Sequence, residues 1–170
     1  MERSTLQCGV LRSSFVLALL LAAVPAAEPV TTKHLTIATS ASQDTVAPGA
    51  RVALHVDITP KPAMHVYAPG QKDYIPVSLT LAGNAAVKPA TITFPTPEKR
   101  EVKELGETQL VYSKPFRIVQ NIAIARSPSP KAGPLTVKGT VKYQACDESI
   151  CYAPITVPVA WALTVKADGR

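Results

Sequence analysis

Residues 135–165 read LTVKGTVKYQACDESICYAPITVPVAWALTV. Leu135, Val137, Val141 and Tyr143 oppose Thr136, Lys138, Thr140 and Lys142. Further on, Ile155, Val157, Val159, Trp161, Leu163 and Val165 oppose Thr156, Pro158, Ala160, Ala162 and Thr164. Such alternation puts apolar side chains on one face of an extended chain, so both halves are predicted to be half-buried antiparallel strands. The pattern recurs upstream. Val52, Leu54, Val56 and Ile58 share a face opposite Arg51, Ala53, His55 and Asp57; Val77, Leu79 and Leu81 alternate with Ser78 and Thr80. Phe116, Ile118, Ile122 and Ile124 share a parity that Gln120 breaks. Sixteen prolines and eight glycines punctuate these runs, and no helical period stands out after the N-terminal segment. The expected fold is all-β, an immunoglobulin-like β-sandwich of about seven to nine antiparallel strands with the cysteines at a hairpin. Pro158 has no N–H to give a ladder and implies an edge strand or a bulge.

The chain is 170 residues long, which suits one domain and a targeting segment. Arg3 and Arg12 precede a short apolar run, Phe15 to Ala23, and Val24-Pro25-Ala26 supplies small residues for a peptidase. We expect a signal peptide at 1–26, cut after Ala26 or Ala27, and one domain over 27–170. The apolar run is short for a membrane span, and Cys8 precedes it. The mature part is expected to be soluble, periplasmic and monomeric, in a compartment where disulfides form. Its charge is +5, with 16 Lys/Arg against 11 Asp/Glu, scattered. No basic run tracks phosphates, so nucleic acid is not an expected partner.

Three connections are long: Pro60 to Pro76, the charge-rich Pro95 to Gln109, and the Ser/Pro/Gly segment Arg126 to Pro134. The second is expected to be a polar loop, and loops of that length are usually functional or mobile.

Cys146 and Cys151 bracket a four-residue turn, Asp147-Glu148-Ser149-Ile150. A disulfide there would close a small ring and stabilise by only about 2 kcal/mol on chain entropy. Continued strand parity puts Cys146 on the polar face with Gln144 and Lys142. Counting back from Ile155 puts Cys151 on the core face. Cysteines on opposite faces cannot bond, so the turn, or a bulge near Ala153-Pro154, must reset the register if they pair. Asp147 and Glu148 would raise a neighbouring thiol's pKa. Spacing alone supports a labile exchange bond and a structural staple equally. Cys146, Cys151 and one histidine make an incomplete zinc set, and Met64 alone is thin for copper. No metal or other cofactor is expected. His55 reads as solvated and Trp161 as core. Tyr143 has core parity and is expected to pack beneath the cysteines.

Tyr143-Gln144-Ala145-Cys146, the short turn, and Cys151-Tyr152-Ala153-Pro154 resemble the active-site hairpin of the N-terminal periplasmic domain of DsbD, the thiol:disulfide interchange protein. Two further segments agree: Met64-His65-Val66-Tyr67-Ala68-Pro69-Gly70, and Leu105-Gly106-Glu107 followed by Val111-Tyr112. The resemblance covers the mature chain in order. It implies an immunoglobulin-like domain that takes electrons from a thioredoxin-like donor fed by a membrane module. It passes them to exported disulfide proteins such as isomerases or cytochrome c maturation factors. By motif position Cys151 would form the mixed disulfide and Cys146 would resolve it. Tyr67 would line the site, His65 beside it would serve docking, and Glu101 and Glu104 would sit in a cap loop. Leu105 stands where members with an aromatic cap have Phe, which implies weaker shielding, and Ala153 displaces the second proline of the hairpin motif. The chain stops at Arg170, so donor and membrane module are expected on separate polypeptides. The competing expectation is a non-enzymatic adaptor with a structural disulfide.

Overall fold

Burial alternates along the long strands as the side chains do, because each strand lies in a sheet with one face on a shared core. A computed structural model describes residues 28–103, 106–126 and 130–167. Residues 1–26, expected from the sequence to be a signal peptide, lie outside them. All regular elements among the described residues are strands: β1 (Val30–Thr31), β2 (Leu35–Ala41), β3 (Thr45–Val46), β4 (Arg51–Pro60), β5 (His65–Tyr67), β6 (Ser78–Leu81), β7 (Val87–Thr93), β8 (Glu98–Val102), β9 (Glu107–Tyr112), β10 (Phe116–Ile124), β11 (Gly133–Tyr143), β12 (Ala145–Cys146) and β13 (Ile155–Val165). Nine of these are four residues or longer, which fits the expected immunoglobulin-like sandwich.

One sheet runs β1-β2-β4-β10-β7 and the facing sheet runs β3-β13-β11-β6. Between them pack Val52, Leu54, Val56 and Ile58 of β4, Ile118 and Ile122 of β10, and Val137, Val141, Trp161 and Leu163 of β11 and β13. Trp161 is 2% exposed and its indole N–H donates to the His55 carbonyl at 2.9 Å, tying the two sheets. Gln120, the parity exception, is buried at an irregularity in the β10–β7 pairing, where its amide donates to the Ala90 and Asn121 carbonyls. A polar side chain there satisfies backbone acceptors the irregular ladder leaves over.

Pro158 lies where β13 pairs with β11 on one side, while β3 reaches only Thr164 and Val165 on the other. That is the edge position its missing N–H demands.

A third, smaller sheet, β12-β5-β9-β8, has Cys146 on its first strand. It corrects one expectation. The segment Pro95 to Gln109 is largely a hairpin, with β8 pairing β9 from Glu98↔Val111 to Val102↔Glu107. Exposure alternates along β8, so Lys99 and Glu101 are exposed while Glu98, Arg100 and Val102 are half-buried. β8 is an edge strand, where such charges are common.

Gly139 has core parity on β11. A Cβ added there would sit 2.8 Å from the Thr80 backbone oxygen and 3.4 Å from the Trp161 ring. Backbone cannot yield as a side chain can, so Gly139→Ala should force β6 off β11 and destabilise the domain by about 1–3 kcal/mol. Chemical denaturation of the two proteins measures this.

Candidate functional site

β11 ends at Tyr143 in one sheet, and two residues later β12 pairs with β5 in another, setting Ala145 opposite Val66 and Cys146 opposite His65. This change of sheet resets side-chain direction. It corrects the parity reading on both cysteines: Cys146 is 1% exposed and Cys151 lies exposed at the surface. The two form a disulfide with their Cα atoms 4.0 Å apart. The reset falls at Gln144, upstream of the turn. Gln144 Oε1 accepts from the Ile75 N–H at 3.2 Å and its Nε2 donates to the Tyr152 carbonyl at 3.3 Å.

Asp147 organises the turn. Its N–H donates to the Ile150 carbonyl at 3.0 Å, and Oδ1 accepts from the backbone N–H groups of Ser149 and Ile150 at 2.7 and 2.8 Å. An aspartate side chain substitutes here for backbone partners that so tight a turn lacks. Oδ2 accepts from the Tyr152 hydroxyl at 2.8 Å. The N–H groups of Ile150 and Ser149, then the Tyr152 hydroxyl, hold the Asp147 carboxyl below its ordinary range.

Tyr67, from β5, sits against both sulfurs. Its hydroxyl is 3.4 Å from Cys146 Sγ and 3.5 Å from Cys151 Sγ. Disulfide sulfurs carry no hydrogen, so the phenol is the donor. Burial, then the Tyr74 hydroxyl and the Glu107 carboxylate, push its pKa up to about 12. Tyr74 stacks on Tyr67 with ring centres 4.2 Å apart and donates to Glu107 Oε1 at 3.0 Å. Gln109 Nε2 donates to the same oxygen at 2.7 Å.

His65 is 4% exposed, in a strand and not the expected loop. Arg100 Nη1 lies 2.9 Å from its Nδ1. A guanidinium only donates, so Nδ1 accepts and the neutral ring carries its proton on Nε2. Burial, then the Arg100 cation, push the His65 pKa below 6.5, against a weaker upward pull from Asp147.

A cavity of about 150 Å³ opens beside the disulfide, lined by Tyr67, Tyr74, Arg100, Val102 and Gln109 together with the turn, including Glu148. The structure thus brings together Cys146, Cys151, Tyr67, His65, Asp147 and Glu148. It does not bring Glu101, which is exposed on β8 with the opposite parity to Arg100 and Val102. Tyr143 is also corrected. Its ring packs in the main core and its hydroxyl meets Thr32 Oγ1 at 2.9 Å, while Tyr67 and Val111 pack on Cys146. Glu104 and Leu105 lie outside the described residues. Tyr74, Gln109 and Tyr152 were not singled out from sequence. Arg100 was visible only as part of a charge run, although its two-residue spacing from Val102 marked it as facing the same way.

These features define a class: a small β-sandwich with one disulfide at its rim, one sulfur exposed and one buried under a phenol. The chain belongs to the family described as thiol:disulfide interchange protein DsbD, N-terminal, which matches residues 32–161. Two solved structures are similar. The N-terminal domain of DsbD from Neisseria meningitidis, in the reduced form, is 18% identical with a TM-score of 0.48, over 75% of this chain and 85% of that one. The N-terminal periplasmic domain of ScsB from Proteus mirabilis is 14% identical with a TM-score of 0.52, over 80% of this chain and 49% of that one. The second likeness supports the fold; this chain spans about half the length of that ScsB chain. No curated protein matches the chain. Family and bonded pair together suggest thiol:disulfide exchange in general.

The depressed His65 pKa makes a prediction. The unfolded imidazole takes a proton near pH 6.5, whereas the folded one takes it only at lower pH. Its contribution is complete above 6.5 and is lost as the pH falls from there through the folded value. Gln at this position can still accept from Arg100 but does not titrate. His65→Gln should therefore lose less stability than wild type between about pH 7.5 and about pH 5, read as urea midpoints at the two pH values.

Proposed function

We propose that this domain relays reducing equivalents in the periplasm through a reversible Cys146–Cys151 disulfide. A thioredoxin-like protein on another chain is the donor and exported disulfide proteins are the acceptors. The observation that carries this reading is the asymmetry of the pair, with Cys151 exposed and Cys146 1% exposed beneath Tyr67. A structural staple has no use for one accessible sulfur, whereas exchange needs one reachable sulfur and one shielded resolver. The residues at 1–26 are read as the signal that exports it.

In the inward half, a donor thiolate attacks Cys151 Sγ. The Cys146–Cys151 bond breaks, a donor–Cys151 disulfide forms, and Cys146 leaves as a thiolate. The Tyr67 hydroxyl stands at the leaving sulfur. With a pKa of about 12 against about 8.5 for an ordinary thiol, the phenol keeps its proton. It stabilises the thiolate as a hydrogen-bond donor, and hydrogen bonds to a charged sulfur are stronger than those to a neutral one. The donor's second thiolate then attacks its own sulfur and frees Cys151, so two electrons have entered and the donor is oxidised. In the outward half, Cys151 thiolate attacks an acceptor disulfide. Cys146 thiolate attacks Cys151 Sγ, releasing the acceptor thiol and restoring the bond. His65 and Arg100 shape the wall of the site, where docking takes place.

The trapping test assigns the roles. Cys146→Ala should accumulate a mixed disulfide with a reduced thioredoxin-like donor on non-reducing gels, and Cys151→Ala should give none. Trapping by Cys151→Ala alone would reverse the assignment. Equilibration against glutathione and dithiothreitol buffers should return a potential of roughly −120 to −270 mV, the span of known exchange proteins. A value below about −300 mV would make the bond a structural one and favour the adaptor reading.

A further inference from the structure

The redox turn is held from outside as well as from within. Tyr152 follows the exposed Cys151, and its hydroxyl sits on Asp147 Oδ2 at 2.8 Å. Its ring lies on the imidazole of His34, with centres 4.4 Å apart and planes at 32°. The Lys33 ammonium stands 5.0 Å from the centre of the same ring. Two residues just before β2 thus grip the turn more than a hundred positions away.

His34 is 3% exposed, and among the described residues neither ring nitrogen has a hydrogen-bond partner. Its backbone is anchored: its N–H donates to Thr32 Oγ1 at 3.2 Å, and its carbonyl accepts from the Lys61 N–H at 2.9 Å. Its ring meets Tyr143 edge-on. An imidazole buried without partners is unfavourable. A phenyl ring would give Tyr152 the same platform without that cost. What histidine adds is a place for a proton. The groups facing it are two cations, Lys33 and Lys61, and two phenols, Tyr143 and Tyr152; the nearest carboxylate on this path, Asp147, is reached only through the Tyr152 hydroxyl. Burial, then Lys33 and Lys61, hold its pKa below the ordinary 6.5.

We propose that neutral His34 is a positioning residue that latches the redox turn through Tyr152 and Asp147, and that a proton on His34 releases the latch. The proton would place a third positive charge beside Lys33 and Lys61 in a buried site without an acceptor. The ring must then leave or turn. Tyr152 loses its platform, Asp147 loses its hydroxyl partner, and the turn over the disulfide loosens. The bond becomes easier to attack in acid than the chemistry of the attacking reagent alone dictates. The proposal rests on the exchange reading only for the use made of the turn.

The test is reduction of the oxidised protein by tris(2-carboxyethyl)phosphine, which needs neither a thiolate nor a partner protein, with alkylated thiols counted by mass. The readout is the ratio of wild-type to His34→Phe rates, so that the reagent's own pH dependence cancels. Between about pH 7.5 and about pH 5 the ratio should rise several-fold, about what one lost hydrogen bond in the turn is worth. Tyr152→Phe, which keeps the ring and loses the hydroxyl, should be reduced faster than wild type at the upper pH. A ratio that stays flat or falls toward acid overturns the latch. So does a His34→Phe variant whose melting temperature changes while the ratio does not, because His34 is then structural only. Failure of every thioredoxin-like donor to transfer electrons would sink the exchange reading while leaving the phosphine ratio to decide the latch.

Discussion

The chain changes sheets between Tyr143 and Ala145, and the rest of the site depends on that change. Up to Tyr143 the strand belongs to the sandwich; from Ala145 it belongs to the small sheet built on β5. Gln144 sits at the crossing and bonds both the Ile75 and Tyr152 backbones. A continued strand would have left Cys146 on the solvent side with Lys142. The crossing turns it inward, against Tyr67 and Val111. Cys151, across the turn, is left outside. One amide side chain that can accept and donate at once therefore accompanies the division of the pair into a covered and an open sulfur.

Three supports then converge on one short turn. From below, β5 and β9 supply Tyr67 and Gln109, with Tyr74 stacked alongside. From within, Asp147 replaces missing backbone partners. From the side, Lys33 and His34, just before β2, lie against Tyr152. The electrostatics are mixed. Asp147, Glu148 and Glu107 oppose a thiolate, while the Arg100 guanidinium favours one. Tyr67 stands at both sulfurs as a preformed donor, within this mixed field.

The four long strands β4, β10, β11 and β13 were legible because each has one face on the core, so burial and polarity alternate together. β5 and β7 were harder to read for a physical reason. In β7 only Val87 is buried, and no alternation exists to be seen. In β5 all three residues are buried, since this strand lies where the small sheet meets the sandwich. β8 hid within a charge run because an edge strand needs little apolar surface. The cysteine directions were misread because parity assumes one continuous sheet. The motif resemblance pointed to Cys146, Cys151, Tyr67 and His65, which the structure places side by side and periodicity alone did not group. It included Tyr152 in the hairpin but gave it no role of its own, because its contacts with Lys33 and His34 follow no local pattern.

The edge at Pro158 has a consequence for the molecule before and after folding. β13 is eleven residues long and open along most of one side, which is the shape that recruits stray strands into aggregates. In an antiparallel ladder, proline tolerates only a position whose N–H would point away from its partner. Pro158, opposite Thr140, therefore presents that open side with no donor. Two residues on, with the same orientation, the Ala160 carbonyl is already occupied by the Thr39 hydroxyl at 2.8 Å. One missing hydrogen and one blocked oxygen make the longest exposed edge a poor template for another chain, at no cost to the core on its inner face.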